Sequence, residues 1–228
     1  MYWSEDNGKK DEVVISDNIV DIVFSVQGKT IPLDNAYALS SAIEQVLPWV
    51  SNDKHIGIHH IFGAESGNGW LRPENTENEI LFLSRRQKLT IRIAKERLSD
   101  IQALTGQTLK IEDHELTVGK STIRKLSDMN IVFARNVVIG ETSVSEDEFM
   151  QACVAQLKDL GISVKKMMCG RERSIQLPDR QLMTRGLMVA DLDKKDSVKI
   201  QECGIGVGRK LGCGLFLPQK GIDPVNPD

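Results

Sequence analysis

The sequence is poor in the residues that mark secreted, redox-active or membrane proteins. Its 228 residues include only four cysteines, at positions 153, 169, 203 and 213, and no two of them form a C-x-x-C pair. No apolar run approaches the roughly 20 residues that a transmembrane helix needs. The polar N-terminus MYWSEDNGKKDE lacks a secretory signal. These absences argue against a disulfide framework, a zinc site and a membrane protein. They predict a cytoplasmic chain whose cysteines are small buried hydrophobes.

Aromatic residues and net charge are also low, at 5% and −3. A net negative charge argues weakly against a nucleic-acid partner, but the charge is unevenly distributed. Residues 85–97 hold six cations and one acid, and residues 165–185 hold six cations and two acids. Local clusters matter more than net charge for contact with a polyanion. Nucleic acid therefore remains a candidate partner, beside the alternative that these clusters are ordinary solvated faces.

Glycine is concentrated near the C-terminus. Five of the 18 glycines fall in the eleven residues GIGVGRKLGCG at 204–214, hereafter the glycine-rich segment. Its spacing fits neither the dinucleotide fingerprint G-x-G-x-x-G nor a P-loop. Because Arg209 and Lys210 lie between the glycines, backbone N–H groups and two cations could meet a phosphate backbone here. The alternative is a glycine-tolerant turn into an edge strand.

Hydrophobic periodicity predicts the order of the elements. A strand at 19–26 precedes a helix with Asp34 as its N-cap and Pro48 after its end, and a second strand follows at 55–63. Further strands, a helix and a hairpin complete the first half. The pattern restarts at 130 with a strand and a helix opened by a capping box of Ser145 and Glu148.

Each half therefore reads strand, helix, strand, strand, helix, strand. This order predicts an α+β fold with two tandem ferredoxin-like βαββαβ domains. A single mixed α/β sheet is the alternative. The expected organisation is a flexible segment at 1–17, domains at 18–126 and 127–220, and a tail at 221–228.

Three histidines cluster in HIGIHHIFG, at 55–63. Strand parity places His60 with the isoleucines of the apolar face, and His55 and His59 on the opposite face. His60 is thus expected to be a core histidine, whereas His59 is expected to exchange protons near neutral pH. Their spacing does not suggest a metal site. A slip of one residue in the strand would substitute His55 or His60 for His59.

Two further features are candidates for ligand contact. Tyr37 lies on the polar side of the first helix, where it can stack on a base, donate a hydrogen bond or simply cover a loop. Arg86, Lys88 and Arg92 share one strand parity, and Arg85 stands beside them. They predict either a basic stripe or an ordinary exposed sheet face.

Taken together, three features resemble one known family. They are the twinned pattern, a histidine after the first helix and the terminal G-x-G-x-G-R-K-x-G-C-G-x-F-x-P. The family is that of the CRISPR-associated repeat-processing endoribonucleases, the Cas6 family of the RAMP superfamily. The stretches VQGKTIPLDNAYAL and GIHHIFGAESGNG resemble one subtype within it, and the resemblance covers most of the chain.

The resemblance implies cleavage of CRISPR precursor RNA within its repeats, without a metal ion or cofactor. The 2′-hydroxyl attacks in line and leaves a 2′,3′-cyclic phosphate and a 5′-hydroxyl. His59 would be the general base or acid, with Tyr37 as its partner. Repeat RNA and other subunits of a CRISPR effector complex would be the binding partners. The implied RNA contacts are Arg85, Arg86, Lys88, Arg171, Arg173, Gly206, Gly208, Arg209, Lys210, Gly212, Ser66 and Asn68.

The sequence departs from the family in one respect, since no lysine stands at an obvious third catalytic position. Two other functions stay open. One is a non-catalytic subunit that holds guide RNA in an effector complex. The other is a tandem ferredoxin-like module that binds a small metabolite and has no affinity for RNA. The proximity of His59 and Tyr37 favours the enzyme, and the basic runs disfavour the metabolite module.

Overall fold

The computed structural model describes residues 17–63, 79–140 and 142–220. Its helices and strands are β1 (Ile19–Gln27), β2 (Thr30–Pro32), α1 (Ala36–Val46), β3 (Gly57–Ile58), β4 (Ile80–Phe82), β5 (Lys88–Ala94), α2 (Leu98–Ile101), β6 (Thr108–Ile111), β7 (His114–Lys125), β8 (Val132–Val137), α3 (Glu146–Asp159), β9 (Lys166–Gln176), β10 (Gln181–Ala190), α4 (Lys194–Cys203) and β11 (Leu217–Pro218). No helix within these ranges is both long and apolar enough to cross a bilayer.

The first half folds around an antiparallel sheet with the strand order β3-β5-β1-β7-β6. Alternate residues of the two central strands are apolar and fully buried, such as Ile22 on β1 and Ile91 on β5. They form one core with α1 residues such as Leu39 and Ile43. Helix α1 is therefore fixed to this sheet by its apolar stripe, and its polar face is left for other contacts.

The second half forms a separate antiparallel sheet with the strand order β11-β8-β10-β9. Helices α3 and α4 supply Phe149, Leu157 and Ile200 to its core. The first and third strands of the predicted pattern lie inside their sheets. They are β1 and β5 in the first half, and β8 and β10 in the second. This arrangement is consistent with the predicted tandem ferredoxin-like architecture. The two sheets are separate, so the alternative of a single mixed sheet is wrong.

The capping box at the start of α3 is confirmed. The Ser145 hydroxyl accepts the Glu148 backbone N–H at 3.3 Å, and the Glu148 carboxylate accepts the Ser145 backbone N–H at 2.9 Å. Each side chain satisfies a backbone donor that the first turn of a helix leaves without an intrahelical partner. The signal was readable from sequence because both partners lie within four residues.

The predicted start of α1 is wrong by one residue, because Asn35 and not Asp34 is the N-cap. Asp34 instead accepts the backbone N–H of Gln176 at 2.8 Å. Asn35 exchanges two hydrogen bonds with the backbone of Ile61, at 2.9 and 3.2 Å. The strand predicted at 55–63 is also shorter, since only Gly57–Ile58 pairs as a strand. Both residues at the helix start are thus used by contacts distant in sequence.

The two halves meet in a small apolar cluster that joins helix α1 of the first half to the second sheet. It comprises Ala36 of α1, Val138, Ile175 of β9, Leu182 of β10 and Cys213. Because Ala36 opens α1 and Cys213 belongs to the glycine-rich segment, this cluster places that helix beside that segment.

The cysteines are only partly as expected. Cys153 and Cys213 are buried, and burial raises the pKa of both thiols to about 12. Cys169 is half-buried and Cys203 is exposed. The prediction of burial is therefore wrong for Cys203, which follows the last buried turn of α4.

Candidate functional site

A groove of about 730 Å³ separates α1 from the glycine-rich segment. Tyr37, Ser41 and Glu44 lie on the α1 side, at the i, i+4, i+7 spacing that places side chains on one helix face. Tyr37 is 43% exposed. The remaining lining residues are Ser40, Asp53, Lys54, Ile56, Leu177, Gly206, Val207, Gly208, Arg209, Lys210 and Leu211. Across the described parts of the chain, no three His, Cys, Asp or Glu side chains are grouped to hold a metal ion.

The glycines of this wall have a structural cause. At Gly206 and Gly212 the backbone φ is +74°, a region that side-chain-bearing residues rarely adopt. A Cβ at Gly206 would lie 2.2 Å from the Val138 carbonyl oxygen, and one at Gly212 would lie 2.3 Å from the His60 ring. The close approach that these two glycines permit is therefore an approach to the protein's own chain. This supports the turn explanation for both positions.

Arg209 is mostly engaged within the protein. Its Nη1 donates to the Cys203 carbonyl at 2.7 Å, and its Nη2 donates to the carbonyls of Glu202 and His55 at 3.1 and 3.2 Å. Burial, followed by the charge of Arg92, lowers the Arg209 pKa to about 10, so the guanidinium stays charged at neutral pH. Arg209 caps the C-terminus of α4, where a cation is favoured. Its Nε has no hydrogen-bond partner among the described residues, but it is buried and therefore closed to a ligand.

Lys210 is placed differently. Its Nζ donates to the Ser51 carbonyl and lies 3.9 Å from Glu44 Oε1. Both side chains are part-exposed, at 27% for Lys210 and 34% for Glu44. Lys210 is thus a cation of the glycine-rich segment that an occupant of the groove can meet. Glu44 was missed by the sequence analysis, because a single glutamate on a polar helix face is common. Its seven-residue spacing from Tyr37 was the available signal.

His60 is a core histidine, as predicted. It is 8% exposed, its Nε2 is hydrogen-bonded to the Leu211 carbonyl, and its ring centroid lies 5.2 Å from that of Phe62. It therefore packs the end of β3 against the glycine-rich segment.

His59 is less accessible than its predicted place on the solvent-facing side of the strand. Among the described residues its buried Nε2 has no hydrogen-bond partner, and it lies 3.9 Å from Asp21 Oδ1. Burial, followed by the positive charge of Arg92, lowers its pKa to about 3. The face that parity assigned to solvent is covered, since Gly57 and Ile61, which were placed on that face with His59, are both buried. A Cβ at Gly57, two residues before His59 on that face, would lie 2.5 Å from the Leu215 side chain.

His55 is the histidine that borders the groove. It is exposed, and it lies between the lining residues Lys54 and Ile56. Its backbone N–H donates to Asp53 Oδ1 at 2.8 Å, and its carbonyl accepts from Arg209. The structure thus brings Tyr37, Lys210 and the backbone around His55 together, and leaves His59 outside.

The other predicted RNA contacts lie elsewhere. Arg85, Arg86 and Lys88 are exposed in the turn before β5 and at its start, and Arg171 and Arg173 are exposed on the edge strand β9. None of these is among the described residues that line the groove. Ser66 and Asn68 lie outside the described residues. The basic stripe does not include Arg92, which is fully buried because it contacts the second half of the chain.

Fold and groove together define an α+β protein with two main antiparallel sheets, in which a glycine-rich segment and a helix enclose a groove. The family model described as Cas6 Crispr matches residues 20–221. The CRISPR-associated endonuclease Cas6 of Myxococcus xanthus (strain DK1622) is 30% identical over 199 residues, which cover 87% of this chain and 81% of that protein. The chain belongs to the Cas6 family.

Solved structures share the fold. A CRISPR associated protein Cas6 has a TM-score of 0.64 at 16% identity, covering 89% of this chain and 100% of that one. A Cas6-related protein of Pyrococcus furiosus has a TM-score of 0.59 at 15% identity, covering 87% and 97%. Thermus thermophilus Cse3, bound to an RNA representing a pre-cleavage complex, has a TM-score of 0.51 at 10% identity, covering 87% and 98%. At these identities the similarity establishes the fold alone.

Proposed function

We propose that this protein is an endoribonuclease that cleaves CRISPR precursor RNA within its repeats. The observation that carries the proposal is a groove with a tyrosine, a carboxylate and a lysine beside the glycine-rich segment, in a Cas6 family member. The Myxococcus relative is named an endonuclease. We further infer that residues 18–126 and 127–220 are the two ferredoxin-like domains. Binding to other subunits of a CRISPR effector complex stays a prediction.

The proposed reaction needs no metal ion. The 2′-hydroxyl oxygen attacks the adjacent phosphorus, the P–O2′ bond forms and the P–O5′ bond breaks. The products are a 2′,3′-cyclic phosphate and a 5′-hydroxyl. One group must accept the proton of the 2′-hydroxyl, and another must protonate the departing 5′-oxygen. Cations must stabilise the charge that develops on the phosphate oxygens.

The groove offers groups for each of these tasks. Lys210 and Lys54 are the cations that can meet the phosphate. Tyr37 and His55 are the proposed proton-transfer pair. His55 takes the place of His59, the residue favoured by resemblance, because His55 is exposed between the lining residues Lys54 and Ile56, whereas the Nε2 of His59 is buried. Arg209 is proposed to shape the segment around Lys210.

The flanks of the RNA are proposed to contact the exposed cations outside the groove. Arg85, Arg86 and Lys88 form one exposed group, and Arg171 and Arg173 form another. Cations in these positions neutralise phosphates without reading sequence. Ser66 and Asn68 remain predicted contacts from the sequence.

The test uses labelled repeat RNA from the protein's own locus, incubated with the purified protein in EDTA. A parallel RNA carries one 2′-deoxy nucleotide at the cut site. We expect a single cut in EDTA that the deoxy substitution abolishes. Cleavage of the deoxy RNA would contradict attack by the 2′-hydroxyl.

The second candidate function is that of a subunit that holds guide RNA without cutting it. The burial of His59 is the observation that favours it, since the histidine implied by resemblance is not free to act. Tight binding of repeat RNA with no cleavage under any condition would support this function. A failure to bind repeat RNA would contradict both.

A further inference from the structure

Arg92 is an arginine of β5 with 0% exposure. A buried charge is costly unless it is paired and hydrogen-bonded. Its Nε and Nη2 donate to the two carboxylate oxygens of Asp21, at 2.8 and 3.1 Å. Asp21 lies directly opposite Arg92 on the neighbouring strand β1, so the pair is a cross-strand contact of the first sheet.

The remaining bonds of Arg92 reach the second half of the chain. Its Nη1 donates to the carbonyl oxygens of Gln201 and Phe216, both at 2.8 Å. Gln201 lies in the last turn of α4, just before the glycine-rich segment, and Phe216 lies just after it. One nitrogen atom therefore joins the two ends of residues 202–215 and attaches them to the first sheet.

The same sheet carries α1, the opposite wall of the groove. Arg92 is thus the buried connection between the sheet that fixes one wall and the segment that forms the other. We propose that Arg92 is a positioning residue for RNA cleavage, which sets the distance between α1 and the glycine-rich segment without contacting the RNA. This inference rests on the proposed function.

Removing Arg92 leaves the fold with other supports. Asp21 keeps the guanidinium of Arg124 at 3.0 Å, so its carboxylate retains a partner. Leu215 still packs on Gly57, and Arg209 still reaches the His55 carbonyl. We therefore expect variants of Arg92 to fold with a displaced or loosened segment. A displacement near 1 Å at a reaction centre can cost about 100-fold in rate.

The test compares Arg92→Lys and Arg92→Met with a control on the same strand. Lysine keeps the charge but cannot supply the planar fork that reaches all four acceptors. The control is Ile93→Ala or the milder Ile93→Val. The variant used is the one whose loss of Tm equals that of the Arg92 variants. Ile93 is the next residue of β5, is fully buried and belongs to the core of the first half.

Three quantities are measured: Tm, the single-turnover cleavage rate with saturating enzyme below the Tm, and amide hydrogen exchange of the free protein. We expect both Arg92 variants to lose about 100-fold in single-turnover rate and to exchange faster at residues 202–216. The Ile93 control is expected to lose Tm but keep its rate. Asp21→Asn is expected to reproduce part of the loss of rate seen in the Arg92 variants, because the Asp21 carboxylate orients the Arg92 guanidinium.

A wild-type rate in Arg92→Lys, or a rate loss equal to that of the Tm-matched Ile93 control, would overturn the proposal. Unchanged exchange at 202–216 in both Arg92 variants would overturn it as well. If the wild-type protein does not cut repeat RNA, the proposed function fails, and with it the role of Arg92 in cleavage. The exchange data would then show separately whether Arg92 holds the segment.

Discussion

Two carboxylate–cation pairs lie next to the glycine-rich segment, and they differ most in exposure. The buried pair, Asp21 and Arg92, is 2% and 0% exposed with a closest contact of 2.8 Å. The groove pair, Glu44 and Lys210, is 34% and 27% exposed with a contact of 3.9 Å. The first is closed to solvent and bonded on every side, whereas the second faces an open groove.

The difference in exposure distinguishes a pair that fixes the structure from a pair that can contact a ligand. A desolvated pair with full hydrogen bonding fixes geometry, and losing one partner is costly. A part-exposed pair contributes little to stability and can exchange its partner for a ligand. His59 lies with the buried pair, and His55 lies between the groove-lining residues Lys54 and Ile56. We therefore propose different roles for these two histidines.

The largest expected effect is on cleavage. His55→Ala removes a proposed proton-transfer group, so we expect a loss of roughly 100-fold or more in single-turnover rate with RNA affinity retained. His59→Ala is the matched control, and it is expected to change stability more than rate. Abolished cleavage in His59→Ala at unchanged Tm would return the catalytic role to His59.

The next effect is on stability in acid. The folded-state pKa of His59 is about 3, below its ordinary value of 6.5, because of burial and the charge of Arg92. The unfolded chain therefore binds a proton in the window between these values that the folded chain does not. We expect stability to be complete above pH 6.5 and to fall as the pH drops toward 3, by on the order of 5 kcal/mol.

Asp21 adds to this loss at lower pH. Burial alone would raise its pKa, but the charge and hydrogen bonds of Arg92 outweigh burial and lower it to about 2. Its contribution to stability is present above pH 3.8 and is lost as the pH falls toward 2.

Urea unfolding of wild type and His59→Gln at pH 7, 6, 5 and 4 measures the loss of stability that is assigned to His59. If the free energy of unfolding fell equally steeply with pH in both proteins, the assignment of the effect to His59 would be contradicted.

A smaller effect distinguishes two glycines of the groove wall. Gly212→Ala adds a Cβ 2.3 Å from the His60 ring, whereas Gly208→Ala adds one 3.4 Å from the Cys213 Cβ. Both variants carry the strain of a positive φ, about 1–2 kcal/mol. We expect Gly212→Ala to lose a further ~1–3 kcal/mol through overpacking. Urea unfolding measures the difference, and equal losses would contradict the packing of His60 on Gly212.

The smallest expected effect is on RNA affinity. Lys210→Ala should weaken binding about tenfold and reduce the slope of log K against log salt by about 1, because one phosphate contact is lost. Lys195→Ala, which removes an exposed cation of α4, is the charge-matched control. The measurement is RNA binding over a series of salt concentrations. An unchanged slope in Lys210→Ala would place Lys210 away from the RNA backbone.

The sequence predicted what short-range signals determine. The capping box of α3, the burial of His60 and the mixture of strands and helices in each half follow from spacing and hydrophobic pattern. It could not predict which face of β3 is covered, because Leu215 lies more than 150 residues from Gly57 in the chain. Arg92 was misassigned to an exposed stripe for the same reason, since its carbonyl partners lie 109 and 124 residues away.

We propose that the reaction takes place in the groove and not at the buried pair of Asp21 and Arg92. Its most direct test is photo-cross-linking of repeat RNA that carries a 2′-deoxy nucleotide and a photoreactive base at the cut site, with the linked peptides identified by mass spectrometry. We expect cross-links to α1 and to residues 206–211. Cross-links confined to residues outside the groove would contradict it.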